Sequence, residues 1–246
     1  GHTLSATVSG ISQKSRNAYS MSDFFTGFAT NLYRPVDAAA PPANFFTGGD
    51  MNNPLLTQKS ILSSFAVADT MSLADGKLLL TVGARHQKIK AYSYDYNTGA
   101  ENSAYDQDEV TPVAGVVYKP WEGVSLYANY IEGLQQGAVA SGTNIDNVGE
   151  AFAPFTSKQK EVGIKYDAGK LGMSAALFTT SQPSAYVIDR RFGVYGEQRN
   201  RGLELSVFGT PARGVRLLGG LTLLDAEQRV TAGGINQGKD VIGVPG

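Results

Sequence analysis

Arg201-Gly202-Leu203-Glu204-Leu205-Ser206-Val207-Phe208 reads as an extended strand with two unlike faces. Successive strand side chains point to opposite sides. Leu203, Leu205 and Val207 therefore share one face, and Gly202, Glu204, Ser206 and Phe208 share the other. A glutamate among small residues does not suit a dry core. It suits a strand with hydrocarbon on one side and a wet lumen on the other. The same texture returns along the chain, and it predicts an all-β fold: the wall of an antiparallel transmembrane β-barrel.

The bulk properties agree with that reading and exclude others. Net charge is −1, so no nucleic acid or other polyanion is implied as a partner. No run approaches the ~20 apolar residues of a membrane helix. Barrel strands hide their apolar residues among polar ones, so the 42% hydrophobic content is compatible with a membrane wall. There is no Cys, hence no disulfide framework, thiolate metal site or thiol nucleophile. Gly is abundant at 29, and 12 Tyr and 11 Phe stand against a single Trp, which favours all-β.

Working outward, strands are predicted over 3–13, 58–73, 78–94, 108–118, 124–132, 157–166, 171–188, 194–208 and 215–228. A tenth starts at 239–246. Short turns at 74–77, 119–123, 167–170 and 209–214 alternate with longer loops at 14–56, 95–107, 133–155 and 189–193. In an antiparallel order this puts the tight turns at one end and the loops at the other, as in outer-membrane barrels. A soluble β-sandwich predicts shorter strands and no such asymmetry. Residues 14–56 are too long for a passive connection and too aromatic (Phe24, Phe25, Phe28, Tyr33, Phe45, Phe46) for simple disorder. The chain opens Gly1-His2-Thr3-Leu4 already in alternation, and a piece of a longer protein is expected.

Four stretches resemble the TonB-dependent siderophore receptors of Gram-negative outer membranes. Leu80-Thr81-Val82-Gly83-Ala84-Arg85 is similar to a barrel strand of that family ending in Gly-x-Arg. Residues 111–118 followed by Ser125-Leu126-Tyr127-Ala128-Asn129-Tyr130 resemble its hairpin with a Tyr-x-x-Tyr strand. Lys158-Gln159 and Glu161-Val162-Gly163-Ile164-Lys165 resemble its Lys-Gln-x-Glu-x-Gly-x-Lys strand. Asn200-Arg201-Gly202-Leu203-Glu204, then Gly219 to Ala226, resemble its last recurring pair. Asn31-Leu32-Tyr33-Arg34-Pro35-Val36 is similar to a loop segment of ferrichrome-type hydroxamate receptors.

The resemblance implies a barrel of about 22 strands around an N-terminal plug. Residues 1–246 are then expected to be one domain, part of that barrel, with plug and C-terminal strands absent. It also implies TonB-energised uptake of iron(III)–siderophore complexes from the Gram-negative outer membrane. The partners would be a ferric siderophore, TonB (through the missing N-terminal region) and outer-membrane lipid. A passive porin-like channel is one alternative, and an outer-membrane enzyme or adhesion barrel is another.

Arg85, Glu161, Lys165 and Glu204 sit on polar strand faces. They either line a wet interior that holds the plug and opens a path, or form ion pairs that keep the strands in register. For siderophore binding the candidates are Tyr33, Phe45, Phe46, Tyr94, Tyr96, Tyr105, Phe152 and Phe155, all on the loop side. A ferric siderophore brings its iron fully coordinated, so the receptor grips the organic shell and needs no cofactor and no metal ligands of its own. Tyr118, Trp121 and Tyr127 are expected in an interfacial girdle near the turns. His2 and His86 have no catalytic partners at motif spacing, so no catalytic residue is assigned and no enzyme is expected. Asp106-Gln107-Asp108-Glu109 reads as a solvated approach to a strand rather than a Ca²⁺ loop.

Overall fold

A computed structural model describes residues 1–23, 25, 30–37, 39 and 41–241. Nine long strands form one sheet in the order β1-β4-β5-β6-β7-β8-β9-β10-β11. They are β1 (His2–Arg16), β4 (Leu56–Leu73), β5 (Leu78–Tyr94), β6 (Glu101–Tyr118), β7 (Val124–Gln135), β8 (Phe155–Asp167), β9 (Leu171–Ile188), β10 (Arg191–Ala212) and β11 (Val215–Val230). A small hairpin of β2 (Tyr19–Met21) and β3 (Phe46–Gly48) interrupts the segment between β1 and β4.

The chain forms two compact units. One comprises Gly1–Ser9, Ser63–Lys88 and Gln107–Gly246; the other comprises Gly10–Leu62 and Ile89–Asp106.

In the first unit the register of β7 to β11 shows the two faces directly. Ala128, Val162, Leu177, Leu203 and Leu223 stand side by side in one row, and Leu126, Ile164, Ala175, Leu205 and Leu221 in the next. The other face carries Tyr127, Gly163, Ala176, Glu204 and Thr222, flanked by a row of Ser125, Lys165, Ser174, Ser206 and Gly220. The apolar rows are bare: Leu177, Leu221 and Leu223 are all more than half exposed. Among the described residues the buried apolar set is only Ile89, Tyr105, Ala140, Ala176 and Ala226. A sheet this large with so little interior is stable only if its apolar face meets hydrocarbon.

The tight turns fall where expected. At Leu73–Gly76, the Gly76 N–H donates to the Leu73 carbonyl at 3.1 Å. Ala74 and Asp75 are both left-handed (φ 50° and 54°), the twist that suits a two-residue hairpin turn. Several boundaries differ from expectation. The loop expected at 95–107 shrinks to 95–100 because β6 starts at Glu101. The loop expected at 189–193 is a two-residue turn, since Arg191, Phe192 and Gly193 pair with Ile188, Val187 and Tyr186. The turn expected at 209–214 narrows to 213–214 beyond Ala212↔Val215, with a register shift after Gly209. These extra strand residues are polar or unpatterned, because outside a bilayer nothing imposes alternation. Of the expected tenth strand, Asp240 bridges to Glu227, and 242–246 lie outside the described residues, as do Phe24 and Phe28. Among the described residues no helix is long and apolar enough to cross a membrane.

Candidate functional site

On the polar face of the first unit, alternation from Ser125 places Tyr127 beside Gly163 and two residue pairs from Glu161. The Tyr127 hydroxyl donates to Glu161 Oε1 at 2.6 Å, and Gln159 Nε2 donates to Glu161 Oε2 at 3.1 Å. The Lys165 ammonium lies 5.1 Å from the Tyr127 ring centroid, a cation–π distance. The ring occupies the space that a side chain at Gly163 would need: a Cβ there would stand 2.6 Å from a ring carbon. Two further rings on this face cover glycines in the same way, Phe178 over Gly202 and Phe208 over Gly172. Tyr127 is thus no girdle residue. Its neighbours Ser125 and Asn129 already mark it as polar-facing. Tyr118, paired with Leu126, is on the apolar face, and Trp121 is 73% exposed at a turn.

Glu161, Lys165 and Glu204 share this face by strand register, as expected. Cross-strand ion pairing was the other expectation for these charges. Among the described residues no salt bridge closes on Arg85, Glu161, Lys165 or Glu204; the ion pairs form elsewhere. Arg199 meets Glu227 at 2.5 Å and Arg201 meets Asp225 at 2.8 Å, on the face of Leu203 but further toward the loops. They mark where the apolar rows end.

The same unit holds a second set of rings. Phe152 lies 5.8 Å from Phe192, centroid to centroid, and Phe155 opens β8 opposite Gln135. Phe192 carries no sequence signal of its own, because residues 189–193 read as a loop rather than as strand.

In the second unit β2 and β3 pair Tyr19 with Gly48, Ser20 with Thr47 and Met21 with Phe46. The Tyr19 ring fills the place of a Gly48 side chain, where a Cβ would be 2.4 Å away, and meets Tyr96 edge-on at 5.2 Å. Phe45 and Phe46 form an edge-on pair at 4.7 Å. Gly49, at φ 77°, donates its N–H to Asn97 Oδ1 at 2.9 Å and so ties the hairpin to the 95–100 turn. In that turn Asp95 Oδ1 accepts from Asn97 N, Thr98 N and Thr98 Oγ1 at 2.9, 2.8 and 3.0 Å. These donors hold its carboxyl below the ordinary aspartate value.

Of the sequence candidates here, Tyr96, Phe45 and Phe46 belong to ring pairs, Tyr94 ends β5 half-buried, and Tyr33 is 89% exposed. Tyr105 is 2% exposed, so its ring is a packing element with no surface to offer a ligand. Tyr19 is an addition. No local pattern marks it: β2 has three residues, too few to show a period, and its partner Gly48 lies far along the chain. The acidic stretch at 106–109 lies inside β6, where Asp106 pairs with Lys90 at 3.0 Å. Asp108 there pairs with His86 at 2.9 Å, in the first unit.

Residues 3–246 match the family described as TonB dependent receptor-like, beta-barrel. Ferrichrome receptor FcuA of Yersinia enterocolitica is 40% identical over 223 residues, covering 87% of this chain and 29% of that protein. Metal-pseudopaline receptor CntO of Pseudomonas aeruginosa is 32% identical over 132 residues, covering 51% and 18%. Among solved structures, BauA, the ferric preacinetobactin receptor of Acinetobacter baumannii, superposes with a TM-score of 0.74 at 36% identity over 99% of this chain and 36% of its own. The chain spans about a third of the length of these relatives. The two-faced wall, its turns and these matches agree: the chain belongs to the TonB-dependent receptor β-barrel family, of the Gram-negative outer membrane.

Proposed function

We propose that this chain is wall and loop structure of a receptor that takes up an iron(III)–siderophore complex across the outer membrane. TonB supplies the energy through a plug segment outside residues 1–246. The observation that carries this reading is the pairing of two faces on one sheet. Bare leucine rows meet lipid, while Tyr127, Glu161, Lys165 and Glu204 present a wet wall whose carboxylates hold no ion-pair partner among the described residues. Such carboxylates are available to basic groups of a segment housed in the barrel, which is what a gated receptor requires and an open pore does not.

Ligand capture belongs to the loop side. The ring pairs Tyr19–Tyr96 and Phe45–Phe46 of the second unit, and separately Phe152–Phe192 of the first, are each flat apolar surface of the kind that packs on the organic shell of a chelate. Iron arrives already coordinated, so the receptor acts as a transporter, holds no cofactor and catalyses no reaction. An uncharged hydroxamate chelate fits better than a strongly anionic catecholate. In the second unit Asp23, Asp37, Asp50, Asp95, Glu101 and Asp106 match Lys14, Arg16, Arg34, Lys59 and Lys90 nearly one for one, leaving no cationic excess to hold an anion. The name of the Yersinia relative, a ferrichrome receptor, points the same way.

The test uses the full-length receptor in outer-membrane vesicles, titrated with ferrichrome and with a ferric tris-catecholate. Saturable ferrichrome binding supports the reading. Binding of neither, by a receptor that folds normally, refutes it.

A further inference from the structure

We propose that residues 136–154 form a strap, latched to the β9–β10 hairpin by Asp146, Asn147 and Glu150, that positions Phe192 beside Phe152 as one wall of the ligand seat. The seat rests on the function proposed above; the latch does not.

The need for a latch follows from the register. Pairing of β8 with β9 ends at Lys158↔Ser181, and pairing of β10 with β11 ends at Glu197↔Val230. β9 and β10 continue together to Ile188↔Arg191. The last stretch is therefore a two-stranded ribbon with two open edges. Such ribbons are marginal alone, and their unpaired backbone groups invite foreign strands. Pro183 removes one N–H donor on the β9 strand.

On β10 the Asn147 amide takes the place of a neighbouring strand. Its Oδ1 accepts the Phe192 N–H at 2.9 Å, and its Nδ2 donates to the Phe192 carbonyl at 2.8 Å. One residue earlier, the Asp146 N–H donates to the Arg190 carbonyl at 2.8 Å, and the Asp146 carboxylate takes Arg190 Nε and Nη2 at 3.0 and 2.7 Å. Glu150 lies 3.7 Å from Arg191 and accepts Asn147 Nδ2 at 2.7 Å.

The strap is itself ordered. Val139 bridges to Ala151, Phe152 N–H donates to the Ala138 carbonyl at 2.9 Å, and Ala140 is buried. Its grip falls on the hairpin turn itself. Asp189 and Arg190 sit at φ 45° and 63°, the left-handed pair of a two-residue hairpin turn, a conformation that Asn and Gly adopt more readily than Arg. The consequence is the 5.8 Å approach of Phe152, on the strap, to Phe192, on the ribbon. Both arginines of the latch are well exposed, so its ionic half is open to screening by salt.

The experiment places a nitroxide at Val148→Cys, 61% exposed on the strap, in the full-length receptor in vesicles, and measures ferrichrome binding on the same samples. Arg190→Ala is expected to mobilise the label and weaken binding about two- to fivefold. Asn147→Ala, which removes both Phe192 hydrogen bonds, is expected to weaken it about tenfold. The reversed pair Asp146→Arg with Arg190→Asp is expected to restore both readings. An unchanged label in Arg190→Ala and Asn147→Ala overturns the latch. A mobilised label with unchanged binding overturns the seat. If the unsubstituted receptor binds no siderophore, the proposed function falls and the seat with it, while the label still decides on the latch.

Discussion

The β9–β10 hairpin is two structures in one pair of strands. Around Leu177↔Leu203 it has neighbours on both sides, and its residues alternate strictly between leucine-rich and polar faces. Around Val187↔Phe192 it stands as a ribbon, its alternation is gone, and Asn147, Asp146 and Glu150 hold it from the β10 side. The hydrogen-bond ladder is continuous between the two. What changes is the solvent. Alternation reports on the bilayer rather than on strand geometry, so a strand can outrun its own sequence pattern.

That contrast predicts a steep difference in tolerance to charge. Leu203→Arg in the apolar row should destabilise the full-length receptor by about 2–4 kcal/mol in urea titrations from vesicles. Val194→Arg on the ribbon should change it by less than about 0.5 kcal/mol. Equal effects at the two sites would contradict a bilayer at one and water at the other.

The polar face offers the next largest effect. Gly163→Val puts a side chain where the Tyr127 ring lies, and a loss of about 1–3 kcal/mol is expected in the same titration. Tyr127→Ala should relieve most of that added penalty in the double variant. If Gly163→Val is harmless while Tyr127 is intact, the ring does not lie on this wall. Smaller again is the ion pair that closes the apolar rows. Arg199→Ala should cost about 1 kcal/mol, shrinking as salt is raised from low to molar concentration.

The smallest effect concerns the 95–100 turn. The Asp95 carboxyl is depressed in the folded state by the Thr98 and Asn97 donors. Its stabilising contribution is therefore complete above the ordinary aspartate pKa and is lost as pH falls through the depressed folded value. Protection of the Asn97 and Thr98 amides, measured as the intrinsic over the observed exchange rate at each pH, should be high at neutral pH and fall on strong acidification. In Asp95→Ala it should already be low at pH 7. A wild-type turn whose exchange follows only the intrinsic pH dependence contradicts this.

Where a bilayer imposes a pattern, the fold was legible. The polar face of Glu161, Lys165 and Glu204, and the turns at 74–77 and 119–123, could be read from single residues. Tyr127 could be too, since Ser125 and Asn129 flank it at strand period, yet its nearness to a turn argued for a girdle. Outside the bilayer the signals fade. The β6 extension over 101–107 and the β10 extension over 191–193 carry polar or mixed residues that read as loop. The β2–β3 hairpin is too short to show a period. The site suffers most, because its rings are brought together by long-range pairing. Tyr19 meets Tyr96, and Phe192 meets Phe152, across sequence separations that no local pattern encodes.

Nitroxide accessibility at adjacent positions of β10 distinguishes a lipid-facing row from a water-facing one. In the full-length receptor in vesicles, labels at Leu203→Cys and Leu205→Cys should be relaxed by oxygen and shielded from a water-soluble nickel reagent. A label at Glu204→Cys should show the reverse. Nickel access at both leucine positions, with Glu204→Cys shielded, would contradict the assignment of oil to one face and water to the other.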